Sequence, residues 1–182
     1  MYPEIYNPTT NDHPDRWRRH SPEDVFTCRQ CQAAVYTHPM ISGVKNRNHC
    51  PYCLWSRHVD HAQPGDRMSA CKAIMQPIGL TMKRGRNKYG AETCGELMLI
   101  HRCSECGKLS INRIAADDLI ERLMDIFWAS LGLDSPTQYQ LEGCEIRLLQ
   151  GDDVKLVISQ LHGITQNLKA ETRLFRVSGS IY

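Results

Sequence analysis

RNHCPYCL, the stretch from Arg47 to Leu54, carries two cysteines separated by two residues. A C-x-x-C segment presents two sulfurs on one tight turn, about the bite a tetrahedral ion needs at Zn–S distances of roughly 2.3 Å. Upstream, Val25-Phe26-Thr27-Cys28-Arg29-Gln30-Cys31 reads as a short strand running into a second such turn. Together they make the arrangement C-x2-C-x18-C-x2-C, with a connecting loop long enough to bring the knuckles face to face. Four thiolates, from Cys28, Cys31, Cys50 and Cys53, close the shell and leave no position for water. The spacing therefore predicts a structural zinc rather than a catalytic one.

A third knuckle, Cys103-Ser104-Glu105-Cys106-Gly107, calls for a second site, and Gly107 suits the close turn after its second sulfur. Two more ligands are needed. Cys71 opens an apolar segment (71–78, CKAIMQPI) that pairs naturally with residues 96–102, and Cys94 competes with it. A histidine completes the set, from His58, His61, His101 or His49; the last two sit beside cysteines, where hydrogen bonding to the ligand shell is the commoner role. Between the two paired segments, residues 83–90 (KRGRNKYG) read as a basic hairpin loop.

Composition agrees with a metal module. Eight of the nine cysteines and seven of the eight histidines precede residue 113. Clustered cysteines in repeated C-x-x-C pairs point to metal ligands in a reducing compartment rather than to a disulfide framework. No run of about 18 apolar residues is present, so no membrane span is expected. The N-terminus lacks a basic start followed by an apolar stretch, so no secretory signal is expected and the cytoplasm is the expected location. Net charge is only +2 over 182 residues, but residues 1–113 hold 16 Lys and Arg against 10 Asp and Glu, and the remainder 6 against 10. The metal half is the basic half, a hint of a polyanionic partner.

At this point a resemblance becomes specific. Residues 47–54, then Ser56, His58-Val59-Asp60, Pro64-Gly65-Asp66-Arg67, Cys71, Met75, Pro77-Ile78, residues 101–107 (HRCSECG), Asn112-Arg113-Ile114-Ala115 and Asp117-Asp118 resemble the signature of the RNHCP-domain family. The likeness covers about residues 26–118. It implies Cys71, Cys103, Cys106 and His58 for the second site, with His61 and Cys94 as extras. It implies no particular activity.

The expected fold is small α+β: a zinc-ribbon-like module with two structural zinc sites, then a helix and a small C-terminal segment, mainly β or α+β. Residues 1–24 read as a flexible arm and 25–114 as the module. Residues 115–132 read as a helix packing on the module, and 133–182 as a C-terminal extension. Within 115–131 (AADDLIERLMDIFWASL), Asp117, Asp118 and Glu121 fall in the first turns, where they favour the helix dipole. Residues 134–136 read as the start of a linker. Residues 145–149, 154–161 and 173–177 read as strands of a small barrel, although 154–161 suits a short helix equally.

The leading functional expectation is a non-enzymatic protein that binds RNA or a ribonucleoprotein such as the ribosome. Arg29, Lys45, Arg47, Arg57, Lys83, Arg84, Arg86 and Lys88 would line the phosphate path. Tyr52, Trp55 and Tyr89 are candidate stacking platforms. A protein-interaction module is the alternative. A zinc hydrolase drawing on His58, Asp60, His61 and Asp66 is a third reading, weakened because three cysteines and a histidine already saturate an ion.

Overall fold

The computed structural model describes residues 25–63, 65–86 and 92–163, with side chains omitted at 84–86 and 92–94. The expected arm at 1–24, the strand at 173–177, Lys88 and Tyr89 lie outside the described residues. In chain order the elements are β1 (Val25–Thr27), β2 (Ala34–Tyr36), α1 (Pro39–Ser42), β3 (Ser56–Arg57), β4 (Ile74–Arg86), β5 (Glu92–Cys103) and β6 (Leu109–Arg113). There follow α2 (Ile120–Ser130), α3 (Ser135–Gly143), a 3-10 turn at Gly151–Asp153 and α4 (Val154–His162). β1 and β2 form an antiparallel hairpin, and the other strands one antiparallel sheet of order β3-β4-β5-β6. The small α+β fold expected from the sequence is the one observed.

Residues 78–82 (IGLTM) and 97–100 (LMLI) show little polar–apolar alternation, the mark of strands covered on both faces. Leu80 pairs with Leu99, and Gly79 with Ile100. Leu80, Leu97 and Leu99 pack with Leu123 and Phe127 of α2, Val157 of α4, and Leu54 and Leu149. On the other face Ile78, Ile100 and Leu109 pack with Leu141 of α3 and Leu148. Glycine at 79 permits that second layer: a Cβ there would lie 2.4 Å from Leu148 Cδ1 and 3.3 Å from Ser130 Cβ. The Leu149 N–H donates to the Leu80 carbonyl at 2.9 Å, so the C-terminal segment also covers the edge of β4 beyond the short β3.

Four expectations change. Residues 83–86 continue β4 instead of belonging to a hairpin loop. The helix expected from 115 starts at Ile120, because Asp117 and Asp118 are engaged elsewhere, as described below. The C-terminal extension shows no strand among the described residues 133–163. Asp134 is the N-cap of α3 rather than the start of a linker, its carboxylate accepting from the Thr137 N–H at 2.7 Å, with proline in the first helical turn. Residues 154–161 take the helical alternative. No helix of the described residues is long and apolar enough to cross a membrane.

Candidate metal centres

The same turn is built three times. In each, the first cysteine's N–H bonds the carbonyl five residues on: Cys28 to Ala33 at 2.8 Å, Cys50 to Trp55 at 2.9 Å, Cys103 to Lys108 at 2.9 Å. In each, the residue after the second cysteine donates back to the first cysteine's carbonyl: Gln32 to Cys28, Leu54 to Cys50, Gly107 to Cys103. That closing residue is left-handed every time, with φ of 62° at Gln32, 61° at Leu54 and 71° at Gly107. Only the third turn uses the residue that favours this conformation, so a search for glycine would miss the other two.

The turns meet in two clusters, one of Cys28, Cys31, Cys50 and Cys53, the other of His58, Cys71, Cys103 and Cys106. In each, all four donor atoms lie within 4.8 Å of one another. The first joins the β1–β2 hairpin to the turn before β3. The second gathers His58 after β3, Cys71 before β4 and the β5–β6 turn. Sulfur separations are 3.5 Å for Cys28–Cys53, 3.6 Å for Cys31–Cys50 and 3.6 Å for Cys71–Cys103; His58 Nδ1 lies 3.3 Å from Cys106 Sγ. A tetrahedron with bonds of about 2.3 Å has edges of about 3.8 Å, whereas disulfide sulfurs lie about 2.05 Å apart. The eight residues therefore fit two tetrahedral ions.

Electrostatics agree. Burial pushes the Cys50 thiol up to about 11, although the N–H groups of Cys53 and Tyr52 oppose it, and burial raises Cys53 too. Cys31 and Cys103 shift the other way, because burial there is outweighed by N–H groups and neighbouring sulfurs, so each set joins a thiol that ionises readily to others that a cation would help to ionise. Burial, then Lys108 and His61, holds His58 below the ordinary imidazole value, favouring the neutral form that a metal takes.

Arg47 is 2% exposed and buried in an ion-pair network, which removes it from the expected phosphate path. Its Nη1 donates to both oxygens of Asp117 at 2.7 Å, its Nη2 to Asp118 at 3.0 Å and its Nε to the His49 carbonyl at 3.0 Å. Asp118 also accepts from His49 Nε2 at 2.8 Å and from the Ala115 N–H at 2.7 Å. Asp117 and Asp118 thus tie the start of α2 to the second knuckle instead of serving the helix dipole. His101 Nε2 donates to the Leu54 carbonyl at 2.7 Å, and its Nδ1 accepts from Asn112 Nδ2 at 2.8 Å, satisfying one neutral tautomer at both nitrogens. His49 and His101 are braces rather than members of either cluster, and His61 is exposed outside both.

The remaining groups divide sharply. Asp66 accepts from the N–H groups of His61, Ala62, Gln63 and Met68, which hold its carboxyl well below the usual range, and Asp60 accepts from those of Gly65 and Arg67. These carboxylates fold the loop between His58 and Cys71. Arg29, Lys45 and Lys83 are exposed and Arg57 half-buried; Arg84 and Arg86 lie on β4. Lys72 and Lys108, absent from the sequence-based set, flank the second cluster closely enough to act on His58. Each is isolated in the sequence, so no charge run announces it.

The RNHCP domain model matches residues 23–124, more than half of the chain. No curated protein and no solved structure matches the chain.

Two outcomes follow from the buried network. Asp118→Asn leaves Arg47 with Asp117 alone and takes the carboxylate from His49 Nε2 and the Ala115 N–H; by urea denaturation it is expected to cost about 1.5–3 kcal/mol, the range for lost hydrogen bonds to a charged group, and a loss within ordinary surface-mutation range would remove the bracing role. Burial first, and then His49, lowers His101 to about 3. Its folded value lies below the unfolded 6.5, so its contribution is complete above pH 6.5 and lost as pH falls toward 3. Between pH 7 and pH 5 this amounts to about 2 kcal/mol, which His101→Gln should abolish. Equal pH slopes in wild type and variant would place the dependence elsewhere.

Proposed function

The chain belongs to the RNHCP domain family, and we propose that it is a non-enzymatic zinc-binding protein that binds RNA, alone or within a ribonucleoprotein, through its basic face. The donor sets favour zinc: soft thiolates with one imidazole, four to each site, and spacings suited to a tetrahedron. Filled shells leave no position for substrate or water, which makes both ions structural. The hydrolytic alternative also lacks its bases, since Asp60 and Asp66 are already engaged by backbone N–H groups.

The observation that carries the RNA reading is a set of cations beside the two centres. Arg29, Arg57, Lys72 and Lys108 take part in none of the ion pairs among the described residues. Cations without acidic partners on a rigid scaffold are available to phosphates. Tyr52 is 52% exposed on the second knuckle with Trp55 close behind in sequence, which suits stacking on unpaired bases. A protein partner is a second reading, favoured by Met40 at 87% exposure beside the exposed Ile41 on α1.

Protein purified without chelator is expected to carry one zinc per cluster and to bind single-stranded RNA with a steep salt dependence. Arg29→Gln combined with Lys72→Gln should reduce the slope of log K against log salt by about 0.7 per cation that contacts a phosphate, with zinc content unchanged. Binding that ignores salt, or no RNA binding by the zinc-loaded protein, would overturn this reading. A protein co-purifying in its place would favour the second.

A further inference from the structure

Among the described residues, two buried side-chain nitrogens have no hydrogen-bond partner: Arg57 Nε and His58 Nε2. They are adjacent in the chain, and both residues line one cleft of about 200 Å³. Buried polar groups are nearly always paired, so two orphans on residues that share a cleft call for a partner that the described residues do not supply.

The orphans specify its chemistry. Arg57 Nε is a donor, since guanidinium has no acceptor. His58 turns Nδ1 toward the second cluster, 3.3 Å from Cys106 Sγ. With Nδ1 ligating, the neutral ring carries its proton on Nε2, which is then also a donor. The missing partner is therefore an acceptor. Its charge follows from the rest of the lining, which adds Lys108 and the amides of Asn48 and Asn112. The lining carboxylate, Asp60, accepts from the N–H groups of Gly65 and Arg67, and its charge is outnumbered by those of Arg57 and Lys108, the Lys108 ammonium being anchored on the Asp60 and His61 carbonyls. Arg29 stands close enough to oppose the Arg57 charge, and among the described residues neither cation has an acidic partner.

Size and shape narrow the choice. The cleft is several times the share of one water in the liquid, about 30 Å³, so a single bridging water does not fill it. Donors reach it from three separate segments, at residues 48, 57–58 and 108–112, which suits a tetrahedral oxyanion better than a planar carboxylate. Met75 and Ile111 add an apolar wall for the group that carries the oxyanion.

We propose that this cleft binds a phosphate group, whose oxygens accept from Arg57 Nε–H and His58 Nε2–H, with Lys108 supplying further positive charge. The phosphate belongs either to an RNA strand or to a free mononucleotide; the donors are the same. The site does not depend on the RNA reading above, because its argument rests on the orphaned donors and their cleft. It places phosphate recognition on a ligand of the second metal centre.

The test uses the full chain with its metal, observed by nitrogen-15 NMR at the Arg57 Nε–H and His58 Nε2–H. Inorganic phosphate, a mononucleotide and a short oligouridine without terminal phosphate are each titrated at ionic strength held constant with chloride. Both resonances are expected to shift together and saturably. Arg57→Gln should weaken the response at His58 by roughly tenfold to a hundredfold, the loss of a charge-assisted hydrogen bond, and Arg57→Lys, which keeps charge without Nε, should weaken it as well. Metal content measured in each variant separates loss of the site from loss of the fold. A response to phosphate or the mononucleotide assigns a free ligand, and one confined to oligouridine assigns a strand phosphate. No shift with any probe, or an unchanged response in a metal-replete Arg57→Gln variant, would overturn the proposal. The salt-slope measurement with Arg29 and Lys72 can fail independently, which distinguishes failure of the RNA reading from failure of this site.

Discussion

Only four residues separate Cys53, the last ligand of the first cluster, from His58, the first of the second. Two of them, Ser56 and Arg57, form β3, pinned to Met75 and Ile74 of β4. This short span cannot move at one end without disturbing the other. It fixes the distance between the centres, orients His58 Nδ1 toward the second cluster, and holds Arg57 where its Nε is buried. The second knuckle reaches the main sheet through the same region, by the His49–Ser56 bridge and the Cys50–Trp55 hydrogen bond.

Around that span the polar braces run in one direction, from the knuckles into the helical layer. Asp118 collects Arg47, His49 and the Ala115 N–H, while the Leu119 N–H bonds the Pro51 carbonyl at 3.2 Å. His101 lies on the central β5 and donates to Leu54 in the second knuckle. The metal-binding turns are therefore tied by buried, fully paired groups to the sheet and to α2, whose packing does not depend on sulfur. A buried ion pair alone is weak evidence of stability. Here its value is geometric, because the network joins residues 47 and 49 to 117 and 118.

The legible parts of this molecule were those whose determinants lie close together in the chain. A C-x-x-C turn is set by a handful of adjacent residues, so three knuckles could be read directly; the apolar patterns pointed to the right two strands, but the register sets 75–77 against 101–103 and 79–83 against 96–100. The histidine of the second cluster was different. Spacing left His58, His61, His101 and His49 open, and the family resemblance favoured the one that the structure brings to the cysteines. Arg47 was misread because its partners lie about seventy residues away, and nothing local distinguishes a buried arginine from an exposed one. The short apolar run at 154–161 fits either period, and its helical form is decided by contact with Leu80, Leu99 and Phe127. Asp134-Ser135-Pro136 did carry a local signal, the N-cap with proline, which reading it as a linker passed over.

The two halves of the metal module differ in what would hold them without an ion. The β4–β5 sheet has apolar layers on both faces and keeps a core of its own. The β1–β2 hairpin has only the cluster of Cys28, Val35 and Cys50, with Phe26, Ala33 and Cys53 against it, so half of its core consists of ligand sulfurs. Burial there makes Cys50 and Cys53 resist ionisation, while hydrogen bonds lower Cys31. A divalent ion bound there would convert the crowding of sulfurs into attraction and help to fasten the hairpin to the sheet. Arg29 is carried on this hairpin, so its place beside Arg57 depends on the first ion, whereas Lys72 and Lys108 stand beside the second. On the proposed reading, the metal centres would contribute to function through position, holding cations from distant parts of the chain on one scaffold for an anionic partner to meet together.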